Sequence, residues 1–122
     1  MNKICTSVEQ SKKLIELGID RKSSDMYYWC GSDLRIGGHR AQDEELDIPA
    51  WSLSALLDLL PKGEDTTIDL CFGGYKGEEY IDEWFCSFED NKEPFEFHSC
   101  SNKDKLDTIF EMVVWLKENG KL

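Results

Sequence analysis

The residues best placed to do chemistry are His98 and Cys100, two apart on one stretch, with Cys86 on a segment that reads as the neighbouring strand. A thiol beside an imidazole is the raw material of a cysteine nucleophile with its base. The same residue types bind zinc when they come in close pairs. Here the pattern stops short of both. No Cys-x-x-Cys pair supplies a four-ligand set, and the only other histidine is His39. No Gly-x-Ser-x-Gly elbow is present. Gly37-Gly38 and Gly73-Gly74 lack the Lys-Ser/Thr of a phosphate loop and read as turns. The carboxylates Glu78, Glu79, Asp82 and Glu83 are abundant without the fixed pair a glycosidase needs. No catalytic, cofactor-binding or metal-ligating residue is therefore expected, and no enzyme.

The charge balance narrows the partners. Asp and Glu outnumber Lys and Arg 25 to 14 in 122 residues, for a net charge of −11. Phosphate contact needs the opposite sign, so direct nucleic-acid binding is disfavoured, as is an anionic membrane. The acidic run Asp43, Glu44, Glu45 and Asp47 reads either as a solvated loop or as a docking patch for a basic protein. Tyr27, Tyr28, Trp29, Trp51, Tyr75, Tyr80, Trp84 and Trp115 are many aromatics for this length. Most belong in a core, and any left exposed are anchor candidates for an interface.

Five cysteines, Cys5, Cys30, Cys71, Cys86 and Cys100, make an odd count. The opening Met-Asn-Lys-Ile-Cys-Thr-Ser has no apolar h-region. No run approaches the roughly 18 apolar residues of a membrane span. Reduced thiols, a cytoplasmic setting and no membrane contact are expected.

These residues must be held by a small set of elements. The spacing predicts a first helix from about Ser7 to Leu17, capped by Thr6 with Glu9 or by Ser7 with Gln10, and stopped at Gly18. Met26–Cys30 and Leu34–Ile36 read as a ragged hairpin around Gly31-Ser32-Asp33. Ile48-Pro49-Ala50-Trp51 leads into a second helix carrying Leu53, Leu56, Leu57 and Leu60, capped near Ser52 and ended by Pro61. Ile68, Leu70 and Phe72 alternate as a strand that gives way to a loop at Gly73. Tyr80–Phe88 and Phe95–Cys100 form two more strands. Centring their turn at Asn91-Lys92 pairs Cys86 with Phe97, Phe88 with Phe95 and Trp84 with Ser99. A final helix, capped by Ser101 or Asn102, carries Leu106, Ile109, Phe110, Val113 and Leu116. The order is α-β-α-β-β-β-α. The expected class is α+β, one domain over 1–122, with three helices on an antiparallel sheet of about three to five strands.

Four segments carry a resemblance. They are Ile4 to Asp20, Asp25 to Trp29, Asp47 to Pro61 around Pro-Ala-Trp-Ser-Leu-Ser-Ala-Leu-Leu, and Phe110 to Gly120. Together they resemble a group of small uncharacterised proteins encoded in prophages and mobile elements of gut bacteria. The resemblance implies a cytoplasmic accessory protein and brings no site residues with it. The expected function is a non-enzymatic protein-interaction or accessory role, with another protein, possibly basic, as partner. The alternatives are an acidic inhibitor, immunity or nucleic-acid-mimic protein acting on a basic host or toxin protein, and an enzyme with an unrecognised site.

Overall fold

Each helix starts where a side chain can satisfy its orphan amides. In the computed structural model, which describes residues 3–37 and 47–122, α1 spans Val8–Glu16 and is capped by Ser7. The Ser7 hydroxyl accepts from the Gln10 amide, and Gln10 Oε1 accepts in return from the Ser7 amide at 3.0 Å. This selects the second of the two predicted capping registers. Gly18, at φ 89°, supplies the left-handed stop. His39, Gly38 and the acidic residues 43–45 lie outside the described residues.

The chain divides into two compact units, Lys3–Leu59 and Leu60–Leu122. In the first, β1 (Met26–Trp29) pairs antiparallel with β2 (Asp33–Ile36) and with β3 (Ile48–Ala50). β3 falls on residues read from sequence as the approach to a helix. Pro49 sits at the sheet's edge, where its missing N–H costs no ladder bond. α2 (Leu53–Leu59) follows. Ser52 caps it through the Ala55 amide at 3.2 Å, and Asp25 holds Ser52 through both its hydroxyl and its amide.

Thr6 is the knot of this unit. It is fully buried, and every polar group it carries is used. Its amide donates to the Trp51 carbonyl at 2.9 Å. Its hydroxyl accepts from the Trp51 amide at 3.0 Å and shares a 2.8 Å bond with Ser11. Its carbonyl accepts from the Tyr28 hydroxyl at 2.7 Å. Leu14, Ala50, Trp51 and Leu56 are buried in the same unit. Buried hydroxyls are tolerated because they are fully satisfied.

In the second unit β4 (Thr66–Lys76), β5 (Glu79–Asp90) and β6 (Glu96–Asn102) form a sheet in that order, all antiparallel. α3 (Lys105–Glu118) covers one face with Leu106, Ile109, Met112, Val113 and Leu116 buried. Its cap is Asp104, which accepts from the Asp107 amide at 3.0 Å. Ser101 and Asn102, the expected caps, belong to β6. The α+β class with three helices and antiparallel strands therefore holds, and the strands number six in two sheets among the described residues.

Two corrections concern this sheet. The strand predicted to end at Gly73 continues to Lys76, with a bulge between the Phe72 and Gly74 pairings. Gly73 has φ 85°. A side chain there would collide with the Tyr80 hydroxyl, and one at Gly74 would meet the Phe85 ring at 3.0 Å. The two glycines serve close approach across the strand pair, not a loop. The second correction is register. Cys86 lies opposite Cys100, Phe88 opposite His98 and Trp84 opposite Asn102. The connection is residues 91–95, centred on Glu93 and not between Asn91 and Lys92, and the Asn91 amide is drawn to the Asp65 carbonyl at 2.8 Å. The shift is an odd number of residues, so it exchanges the two faces of β6.

Thr6→Val keeps the shape of the buried side chain and strips its hydroxyl. It leaves the Trp51 amide and the Ser11 hydroxyl without their partner. Urea unfolding is expected to show a loss of about 1–3 kcal/mol at unchanged m-value.

Candidate functional site

The true register decides which residues share a surface. On the face under α3 stand Ile68 and Leu70 from β4, Cys86 and Phe88 from β5, and His98 and Cys100 from β6. The helix meets them directly. The Trp115 ring stacks on His98 at 4.0 Å with planes 2° apart. It also leans on Phe88 at 5.9 Å. The Cys100 thiol donates to the Thr108 carbonyl at 3.4 Å. Lys105 sits over the Trp84 ring at 4.8 Å, and the Asn102 amide donates to Glu111 at 3.2 Å.

His98 and Cys100 are thus brought to one face, two residues apart, yet each is engaged by the helix. Burial pushes the Cys100 thiol up to about 12, with Cys86 and Glu111 adding to the effect. Cys86 is pushed up to about 11 by burial first, then by Asp69 and Cys71. The thiolate is the nucleophile, so this surrounding suppresses the form that reacts. Burial also lowers His98 from its usual 6.5. The arrangement packs the imidazole as a flat aromatic. Among the described residues, no group of three or more His, Cys, Asp and Glu could hold a metal ion.

The first unit has one further thiol contact. Cys5 lies 3.6 Å from the Tyr28 hydroxyl, which is itself donated to Thr6. Burial raises both groups, Tyr28 to about 12. Asp47, grouped by sequence with the acidic run, is buried. Its carboxylate accepts from the Cys30 amide at 3.4 Å and its carbonyl from Arg21 at 3.0 Å. It is an internal tie and not part of a solvent-facing patch.

Of the large apolar side chains left exposed, Ile4, Trp29, Ile36 and Leu57 lie in the first unit, and the others are aromatics of the second. Phe72, Tyr75 and Tyr80 are 56%, 70% and 55% accessible, and all lie in the half of the β4–β5 hairpin nearer its turn. Tyr75 and Tyr80 stand opposite one another with ring centres 5.3 Å apart, edge to face. Phe72 meets Trp84 edge-on, also at 5.3 Å. On the face turned away from α3, Phe97 is 56% accessible and lies opposite Glu89. Phe95, just before β6, is exposed as well. Large exposed aromatics grouped on one element mark contact surfaces more often than scattered ones do.

The chain matches no family model, no curated protein and no solved structure.

Tyr75 and Tyr80 were singled out by sequence only as members of a long aromatic list. Phe72, Phe95 and Phe97 lie on segments whose pattern reads as strand. For Phe72, Tyr75 and Tyr80 the available signal is the acidic neighbourhood: between Thr66 and Asp90 stand seven carboxylates and one lysine. It does not by itself decide exposure, since Phe88 in the same span is buried.

Two measurements check this description. Alkylation of the native protein at mildly alkaline pH is expected to modify the exposed Cys30 and Cys71 quickly. Cys5, Cys86 and Cys100 should react only on unfolding, as read by mass spectrometry. The second is pH dependence. Because His98 is lowered in the fold, the unfolded chain takes up its proton first, near pH 6.5. Stability is therefore complete above that value and falls as pH drops below it toward the folded pKa. His98→Phe keeps a ring on Trp115 and removes the proton. Its stability should fall less steeply immediately below pH 6.5 than that of the parent.

Proposed function

We propose that this chain is a non-enzymatic protein-interaction or accessory protein whose docking element is the distal half of the β4–β5 hairpin. The observation that carries the reading is the exposed Phe72, Tyr75 and Tyr80 group. Tyr and Phe present large, stiff surfaces at small entropic cost and serve as interface anchors. The residues that offered nucleophile and base, Cys100 and His98, are spent on packing against α3. All five cysteines are free, in keeping with a reducing cytoplasm. No described helix is long and apolar enough to cross a membrane. The resemblance to prophage and mobile-element proteins fits an accessory role of this kind.

Photo-crosslinking tests the placement. A photoreactive residue is installed at position 75, at position 80, or at exposed Lys12 on α1, and cells expressing each variant are irradiated. The expected outcome is one recurrent adduct band from positions 75 and 80 and none from position 12. Adducts of equal yield from all three positions, or none from the hairpin, would remove it as the docking element.

A further inference from the structure

We infer that the hairpin's occupant is a lysine- or arginine-bearing segment of a partner protein, laid in extended form along the free edge of β4. The inference rests on the reading of the hairpin as a docking element and adds the chemistry of what docks there.

Three observations lead to it. The first is charge. The seven carboxylates of Thr66–Asp90 face one lysine, and that Lys76 is already held by Glu83 at 3.6 Å. A second copy of this chain, a nucleic acid or an anionic membrane would each meet like charge there. A cationic segment meets the opposite sign.

The second is the aromatic surface. Guanidinium and ammonium groups settle over aromatic faces, and Arg also pairs with carboxylates through its planar fork. The chain builds this arrangement for itself on its other hairpin. There Arg35 lies 4.8 Å over the Trp29 ring while bonded to Asp33 at 2.8 Å. Phe72, Tyr75 and Tyr80, set among Asp69, Glu78 and Glu79, repeat the same ingredients without a cation of their own over the rings among the described contacts.

The third is the edge. Among the described residues β4 has β5 on one side and no strand of its sheet on the other, over eleven residues. A strand edge offers main-chain N–H and C=O groups to an extended chain. A peptide can use them and a free polyamine cannot, which selects a protein segment as the source of the cations.

The test uses a fluorescein-labelled peptide of alternating Arg and Thr, ten residues long, with the Glu-Thr peptide and spermine as comparators. Anisotropy is read near physiological salt. The Arg-Thr peptide is expected to bind and the Glu-Thr peptide not to. Tyr75→Ala/Tyr80→Ala leaves net charge unchanged and is expected to weaken binding about tenfold. Glu78→Gln/Glu79→Gln, at the exposed turn residue and the exposed first residue of β5, should weaken it severalfold and flatten its salt dependence. Amide shifts on adding peptide should concentrate on residues 66–76. Binding indifferent to both double variants, shifts centred elsewhere, or displacement of the peptide by equimolar spermine would each overturn the inference. If the peptide fails to bind while crosslinks still form from positions 75 and 80, the docking element stands and the cationic occupant falls.

Discussion

The second unit is organised by one stack, His98 against Trp115, with Phe88 beside them. The stack requires His98 to lie opposite Phe88 and to face the helix. Once it does, Cys100 must fall opposite Cys86, within reach of the Thr108 carbonyl. Asn102 then reaches Glu111 and orders the Asp104 amide at the start of α3. Period two in the strand means that no other register within one residue preserves these contacts. The same constraint turns Phe95 and Phe97 outward. Interior order and exterior exposure have a single cause.

The consequence for chemistry is that His98 and Cys100 are put to structural use. An imidazole stacked flat on an indole is a packing group, and a thiol under a helix is a small hydrophobe with one weak bond. The exposed hairpin is the reverse case. Its aromatics are large enough to anchor a core, and they stand among carboxylates with Gly73 and Gly74 opening space for the Tyr80 and Phe85 rings.

Much of the architecture could be read from residue order because the signals were local. Ser7 with Gln10, Gly18, the α3 stripe and the hairpin at Gly31 are each set by neighbours within a few positions. What could not be read was whatever depended on distant partners. β3 exists because β1 needs a neighbour, and Ile48-Pro49-Ala50 carries too little pattern to announce it. The β5–β6 register was lost because Phe95 and Phe97 look like interior residues and His98 does not. Hydrophobicity favoured the wrong face, and only the indole of Trp115, far along the chain, reverses the choice. The exposed aromatic surface was hidden for a related reason: an exposed aromatic and a buried one are the same letter until the helix covering the sheet is placed.

The bonds joining Thr6 to Trp51 span 45 positions of chain, whereas β4, β5, β6 and α3 each pack on elements close to them in sequence. Closing a long loop before any contact rewards it is the slow step in assembling a fold. The carboxyl-terminal unit can therefore zip up from the Gly77 turn outward, one neighbour at a time. The amino-terminal unit completes its sheet only when residues 48–51 come back to β1 and Thr6, so its closing step carries the larger loop-closure cost of the two.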